Sequence, residues 1–297
     1  MFLHPKRFFR LLVQAVKNWS NDYAPSMGAA ISYYTVFSLA PLLVIVIAIA
    51  GGVFGREAVQ GTVSQQLSGV MGPQGAEMIE GLVASASDTD RGLVAGLISF
   101  FILLVGATTV FAELQSALDR IWKVPEANKP SGIFGLLRAR LLSFGLILGV
   151  AFLLMVSLVV SAGLAAFGSW AGGLMPGWET LLHLLNIAIT LTFLTVLFAM
   201  IFKLMPSTPV SWRDVWVGAF VTAILFEVGK LLIGLYIGKS GMSESFAAAG
   251  AVVILLVWVY YAAQIFLLGA EFTKAYADAH GSLAAPRKPP QEHPTKS

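Results

Sequence analysis

Of 297 residues, 57% are hydrophobic and only 12% are charged, about half the charged share of an ordinary soluble domain; a water-soluble globule is excluded and a membrane protein implied. There is no cysteine, which removes disulfide frameworks and thiolate metal sites. The net charge of +3 is small, so the placement of the charges carries more information than their sum.

In chain order, residues 1–27 form an N-terminal segment in which 5–20 reads as an amphipathic helix. Lys6, Arg7, Arg10 and Lys17 alternate there with Phe8, Phe9, Leu11, Leu12, Val13 and Val16. That pattern lacks the single apolar run and small-residue cleavage site of a signal peptide. Two placements fit it: flat on the membrane with its basic face toward anionic lipid, or packed on the bundle as a soluble juxtamembrane helix.

A bilayer core about 30 Å thick takes roughly 20 apolar residues of helix, and the first such span runs from Gly28 to Phe54, with Pro41 inside it. A proline there removes a backbone bond and kinks the helix. Residues 55–91 are polar and broken by Gly72-Pro73. Val59, Val63, Leu67 and Val70, then Met78, Ile79, Leu82 and Val83, recur at helical spacing, which predicts two short amphipathic helices joined by a turn. Further spans are predicted at 92–112, 141–167, 181–202, 215–237 and 247–270. The expected fold is therefore all-α: a six-helix transmembrane bundle over 28–276, with an extracytoplasmic helical hairpin at 55–91. A disordered tail is expected over 277–297, where Pro286, Pro289, Pro290 and Pro294 lie among charges.

Orientation follows from Lys and Arg. The N-terminus, the loop between spans two and three, the loop between spans four and five and the C-terminal end hold fifteen of the nineteen. Arg56, Arg91 and Lys239 lie on the other side, and Lys230 falls within a span. Both termini are thus expected in the cytoplasm. Trp19, Trp122, Trp212 and Trp216 fall near the inner interface, as amphipathic rings do.

Several stretches resemble the BrkB/YihY family of bacterial inner-membrane proteins. They are GAAISYYTVFSLAPLLVIVIA at 28–48, GATTVFAELQSALDRIWKV at 106–124, LMPSTPVSWRDVWVGAF at 204–220 and GAVVILLVWVYYAAQIFLLGAEFTKAYA at 250–277. The resemblance implies six spans and an inner-membrane location. The family has also carried the label ribonuclease BN, which the residues disfavour. His4, His183, His280 and His293 make no HxH or HExxH pattern. Asp22, Glu113, Asp119, Glu126, Asp214, Glu271 and Asp278 are dispersed without metal-ligand spacing, so phosphodiester chemistry lacks its usual inventory. No catalytic residue, metal site or cofactor is expected, and nucleic acid is not an expected partner.

The sharpest site candidates are Glu227 and Lys230 in the fifth span. Charges inside spans are costly and face a protein interior or a water-filled path, and a spacing of three puts both on one face. They are either a substrate or proton site in a cavity, or a structural pair locking the span to a neighbour. Tyr33 and Tyr34 in span one, and Tyr260 and Gln264 in span six, line a polar path or make interhelical hydrogen bonds. Ala112-Glu113-Leu114 at the end of span two parallels Ala270-Glu271-Phe272 at the end of span six. If this marks an internal repeat, Glu113 and Glu271 become matched inner gate residues; otherwise they are ordinary interfacial acids. No GxxxxGKS loop is present, so this chain does not use ATP. The leading expectation is a transporter or flippase-like protein for a lipid-like or amphiphilic substrate, with membrane lipids as partners. The alternative is a non-transporting scaffold for envelope-assembly proteins.

Overall fold

The computed structural model describes residues 5–38, 55, 61, 77, 80, 81, 109–125, 178–239 and 250–283. Among them every regular element is helical. We label these α1 (Pro5–Asn21), α2 (24–38), α3 (109–121), α4 (Trp178–Leu204), α5 (Trp212–Lys239) and α6 (Gly250–His280). Among the described residues three stretches are long and apolar enough to cross a membrane, Leu184–Leu204, Trp212–Ile233 and Leu255–His280, where the fourth, fifth and sixth spans are predicted. Helices α2 and α3 show one end each of the first and second spans. The remainder of those two, the third span and nearly all of the 55–91 hairpin lie outside the described residues; within the hairpin Gly61, Glu77, Glu80 and Gly81 are helical. At the C-terminus, helix continues to His280 and a turn follows to Leu283, so order persists past the expected start of the tail at 277. Residues 284–297 lie outside the described residues.

Local chemistry sets the boundaries. Helix α1 stops where Tyr23 takes φ 60°, the left-handed setting that closes helix C-termini. Pro25 then falls in the first turn of α2, where its missing N–H is no loss. Helix α3 ends in the same manner at Lys123, φ 52°. The N–H of Val124 reaches back to the Asp119 carbonyl at 2.9 Å and that of Lys123 to Arg120 at 3.0 Å, capping carbonyls that would otherwise be orphaned. Pro206 and Pro209 prevent α4 from continuing into α5. Asp214 occupies the first turn of α5, the favourable end of the helix dipole for an acid.

Helix α6 is the hub. It meets α5 along a reciprocal seam built from Gly218-x-x-x-Thr222 and Gly269-x-x-x-Thr273. Thr273 lies against Gly218 so closely that a Cβ there would fall 2.6 Å from the Thr273 Cβ. Thr222 lies against Gly269 in the same way, 2.8 Å from Cβ to Cβ. Each hydroxyl is satisfied inside its own helix, Thr222 donating to Gly218 O and Thr273 to Gly269 O, both at 2.7 Å. The contact between helices is therefore threonine side chain, Oγ1 foremost, against bare backbone, the close packing that small residues permit in membranes. Helix α4 adds a phenylalanine layer: Phe202 and Phe266 have ring centres 5.3 Å apart, and Phe198 meets Phe226 at 5.7 Å. Helix α2 joins through Ser32, which donates to Leu256 O at 3.0 Å.

Of the two placements open for α1, the structure packs one face on α6. Leu11 and Ala15 are buried against Phe272 and Ala275, and Phe8 meets Phe272 at 5.7 Å. Phe9, Val13 and Val16 point away and remain exposed.

The seam generates a stability prediction. Gly218→Val overfills it and lowers stability by about 1–3 kcal/mol, read as a lower thermal unfolding midpoint in detergent. Adding Thr273→Ala in the same chain recovers most of the loss, because the displaced volume is returned across the interface. Equal losses in the single and double variants would show that the seam does not set the helix separation.

Candidate functional site

The acid and base of α5 form a local ion pair. Lys230 Nζ lies 2.9 Å from both carboxylate oxygens of Glu227. Glu227 stands about 22 Å along the helix from Trp212 at about 1.5 Å per residue, deep in the span. The pair is not sealed: the Lys230 and Glu227 side chains are 34% and 31% exposed. Phe220, Ile224 and Leu231, on the Glu227 side of α5, are exposed apolar residues, and Val228 and Leu232 are exposed farther round the helix. On its inner side Lys230 borders a void of about 10 Å³ shared with Trp258 and Tyr261 of α6, room for about one water. The Trp258 indole N–H is buried without a partner. Ala223, one turn before Glu227, is buried in the packed core.

The four polar residues proposed to line a path have unlike surroundings. Tyr33 is exposed, edge-on to Tyr34 at 5.4 Å and against Phe37 at 4.7 Å. Tyr260 is also exposed, and it is the adjacent Tyr261 that borders the Lys230 void. Gln264 turns inward, its Nε2 donating to Ala24 O at 3.5 Å and its side chain filling the space that a Cβ on Gly28 would need. Its Oε1 is buried with no partner. Gln264 therefore ties α6 to α2.

Glu113 and Glu271 have unlike surroundings. Glu113 is half-buried and lines a cleft of about 480 Å³ between α2 and α3, with Ser26, Asp119, Arg120 and Lys123. Arg120 also lies over the Tyr23 ring, 5.9 Å from its centre. Glu271 is fully buried and neither of its oxygens has a hydrogen-bond partner. The charged groups facing it are Asp22, from the turn between α1 and α2, with Lys274 of α6 and Lys123 after α3. Asp22 interacts with it electrostatically as a like charge. Burying a carboxylate without partners is expensive, and Lys123 and Lys274 are the cations placed to offset it. Lys123 is shared by the two environments, so Glu113 and Glu271 belong to one polar region at the end of the bundle that carries α1.

Two further acids were not singled out from the sequence. Buried Asp119 accepts from Ser207 N at 2.7 Å and Ser207 Oγ at 2.8 Å, and Gln115 donates to the same hydroxyl at 3.1 Å. This ties α3 to the loop between α4 and α5. Buried Asp214 grips Ser282 through one oxygen, Oδ2, which accepts from N at 3.0 Å and from Oγ at 2.6 Å, tying the start of α5 to the exit of α6. Only the place of Asp214 in the first turn of α5 gave a local signal; the partners lie 88 and 68 residues away. Among the described residues no group of three or more His, Cys, Asp or Glu is placed to hold a metal ion.

Comparison with known proteins gives a consistent result. The sequence model of the family described as Virulence factor BrkB matches residues 15–294. A UPF0761 membrane protein of Pseudomonas paraeruginosa is 29% identical over 251 residues, covering 84% of this chain and 58% of its own length. A UPF0761 membrane protein of Neisseria meningitidis serogroup B is 28% identical over 267 residues, covering 88% of this chain and 61% of its own length. The chain thus spans about three-fifths of the length of the curated relatives it matches. No solved structure matches.

The serine grips give a graded test. Asp119→Ala leaves the Ser207 N–H and hydroxyl without their acceptor and lowers stability by about 1–3 kcal/mol, measured by thermal unfolding in detergent. Ser207→Ala keeps the backbone bond and costs less than Asp119→Ala. The reverse order would mean that the backbone bond contributes little.

Proposed function

The chain belongs to the BrkB family and is an integral membrane protein; from that premise we propose that it is a transporter or flippase-like protein for a lipid-like or amphiphilic substrate. In this reading it crosses a bacterial inner membrane six times with both termini in the cytoplasm, as the Lys and Arg distribution favours. The observation that carries the reading is the Glu227–Lys230 pair. An ion pair deep in a span and about one-third exposed is costly against hydrocarbon. It is relieved when it faces water, a polar headgroup or a partner group. Exposed apolar side chains on the Glu227 side of α5 give the matching half of an amphiphile's site: the pair meets the headgroup while the chain lies along Phe220, Ile224 and Leu231.

The proposed role is non-catalytic, because the sequence supplies isolated histidines and dispersed acids in place of an acid–base constellation. Membrane lipids are the partners that this chemistry favours. Energy, where movement is uphill, would come from an ion gradient or another protein, as no phosphate-binding loop is present.

The test is transbilayer movement of a fluorescent phospholipid in proteoliposomes holding the full chain. The expected result is protein-dependent movement that falls at least about tenfold in Glu227→Gln and Lys230→Met, a loss of about 1.4 kcal/mol or more in the transition state. The exchange Glu227→Lys with Lys230→Glu, which keeps a pair, retains part of the rate. Unchanged rates in folded single variants would remove the pair from the mechanism. Absence of movement by the unaltered chain would remove the flippase reading for that class of substrate.

A further inference from the structure

Helix α1 divides its surface three ways. One face packs on α6 through Leu11 and Ala15. A second is an apolar stripe left open: Phe9 is 68%, Val13 52% and Val16 50% exposed. At about 100° per residue these three share one line along the helix, bordered by Lys6, Lys17 and Arg10. The third face looks into a groove of about 450 Å³ between α1 and the last turns of α6.

The groove is built for an anion. Arg7, Arg10, Gln14 and Asn18 supply one wall, and Asp278 and His280 belong to the other. Among the described residues neither guanidinium has an ion-pair partner, and both arginines are exposed. The one acid is already matched, since Asp278 Oδ2 lies 2.7 Å from Lys274 Nζ. Gln14 Nε2 donates to Asn18 Oδ1 at 3.0 Å, which leaves the Asn18 amide N–H groups for a ligand. Two planar guanidinia one turn apart suit phosphate oxygens, which each can engage in bidentate fashion. The open apolar stripe beside the groove fixes the source of the phosphate. A helix with exposed Phe and Val edged by Lys and Arg settles at the membrane interface, apolar side chains among the acyl chains and cations at headgroup depth.

We propose that the groove between α1 and the C-terminal end of α6 binds the phosphate of an anionic phospholipid through Arg7 and Arg10, with Phe9, Val13 and Val16 seated among that leaflet's acyl chains. The lipid then bridges the N-terminal helix to the hub helix and holds α1 in place on the bundle. This site is separate from the Glu227–Lys230 pair and stands without the transport reading.

The experiment uses the full chain purified in a neutral detergent and titrated with short-chain phosphatidylglycerol, with bound lipid read by native mass spectrometry. Phosphatidylcholine of equal chain length and inorganic phosphate are the comparison arms. Phosphatidylglycerol is expected to bind, phosphatidylcholine to bind far less, and inorganic phosphate not to displace the lipid at equal concentration. Arg7→Gln with Arg10→Gln is expected to weaken phosphatidylglycerol about 25-fold, from about fivefold per basic residue at a lipid surface. Lys6→Gln with Lys17→Gln removes the same charge outside the groove and is expected to weaken it much less. Retention of full affinity in the double arginine variant overturns the site. So does an equal loss in the double lysine variant, which would mean diffuse attraction without a groove. Displacement by inorganic phosphate, or equal binding of both lipids, overturns the assignment to an anionic lipid.

Discussion

The close approach of α5 and α6 is the constraint on which the rest of the described structure depends. Inside a bilayer, apolar surface gains little by turning from lipid to another helix, so helices associate where backbones can come near and polar groups are met. The seam satisfies both conditions with two copies of one device. Gly218 and Gly269 open the space, Thr222 and Thr273 fill it, and each threonine hydroxyl returns to the carbonyl of the glycine on its own helix. No hydroxyl is left seeking a partner across the interface, so the fit rests on shape alone. With α6 fixed in this way, its other faces become docking surfaces for α1 and α2, while α4 packs on α5 and reaches α6 through its phenylalanines.

The carboxylates that this frame positions fall into three kinds, and their surroundings separate structure from candidate function. Asp119 and Asp214 are buried and satisfied, each by the N–H and hydroxyl of a single serine; such fully met polar groups specify a unique packing. Glu227 is met by Lys230 but only partly covered. Glu271 is covered but unmet, facing Asp22 with Lys123 and Lys274 nearby. The last two retain interaction capacity that a ligand or ion can use. They lie at different depths, Glu227 well inside the span and Glu271 at the end of the bundle where α1 packs.

Helix α1 connects that end to its surroundings. Its inner face completes the covering of Phe272, next to Glu271, while its outer stripe and bases have the arrangement of an interfacial helix. A change in how α1 sits on α6 would therefore alter the packing beside Glu271. This gives the proposed lipid groove a physical route to the polar region formed by Asp22, Glu113, Lys123 and Glu271.

The sequence by itself determined the helical class, the positions of α4, α5 and α6, the amphipathic character of α1 and the pairing of Glu227 with Lys230. All of these follow from interactions within a few residues: run length, a repeat near 3.6 and a spacing of three. It did not determine which of two similar acids is buried. Glu113 and Glu271 end look-alike segments, yet one lines a cleft and the other is enclosed, because residues of other helices surround them. Likewise Gly-Ala-Phe-Val-Thr and Gly-Ala-Glu-Phe-Thr stand in plain view in the chain, but only the crossing of α5 and α6 makes them reciprocal. The serine grips, the choice of Tyr261 over Tyr260 beside Lys230 and the inward turn of Gln264 were decided in the same way. Burial and partnership depend on what distant segments bring to a side chain, and no local pattern records that.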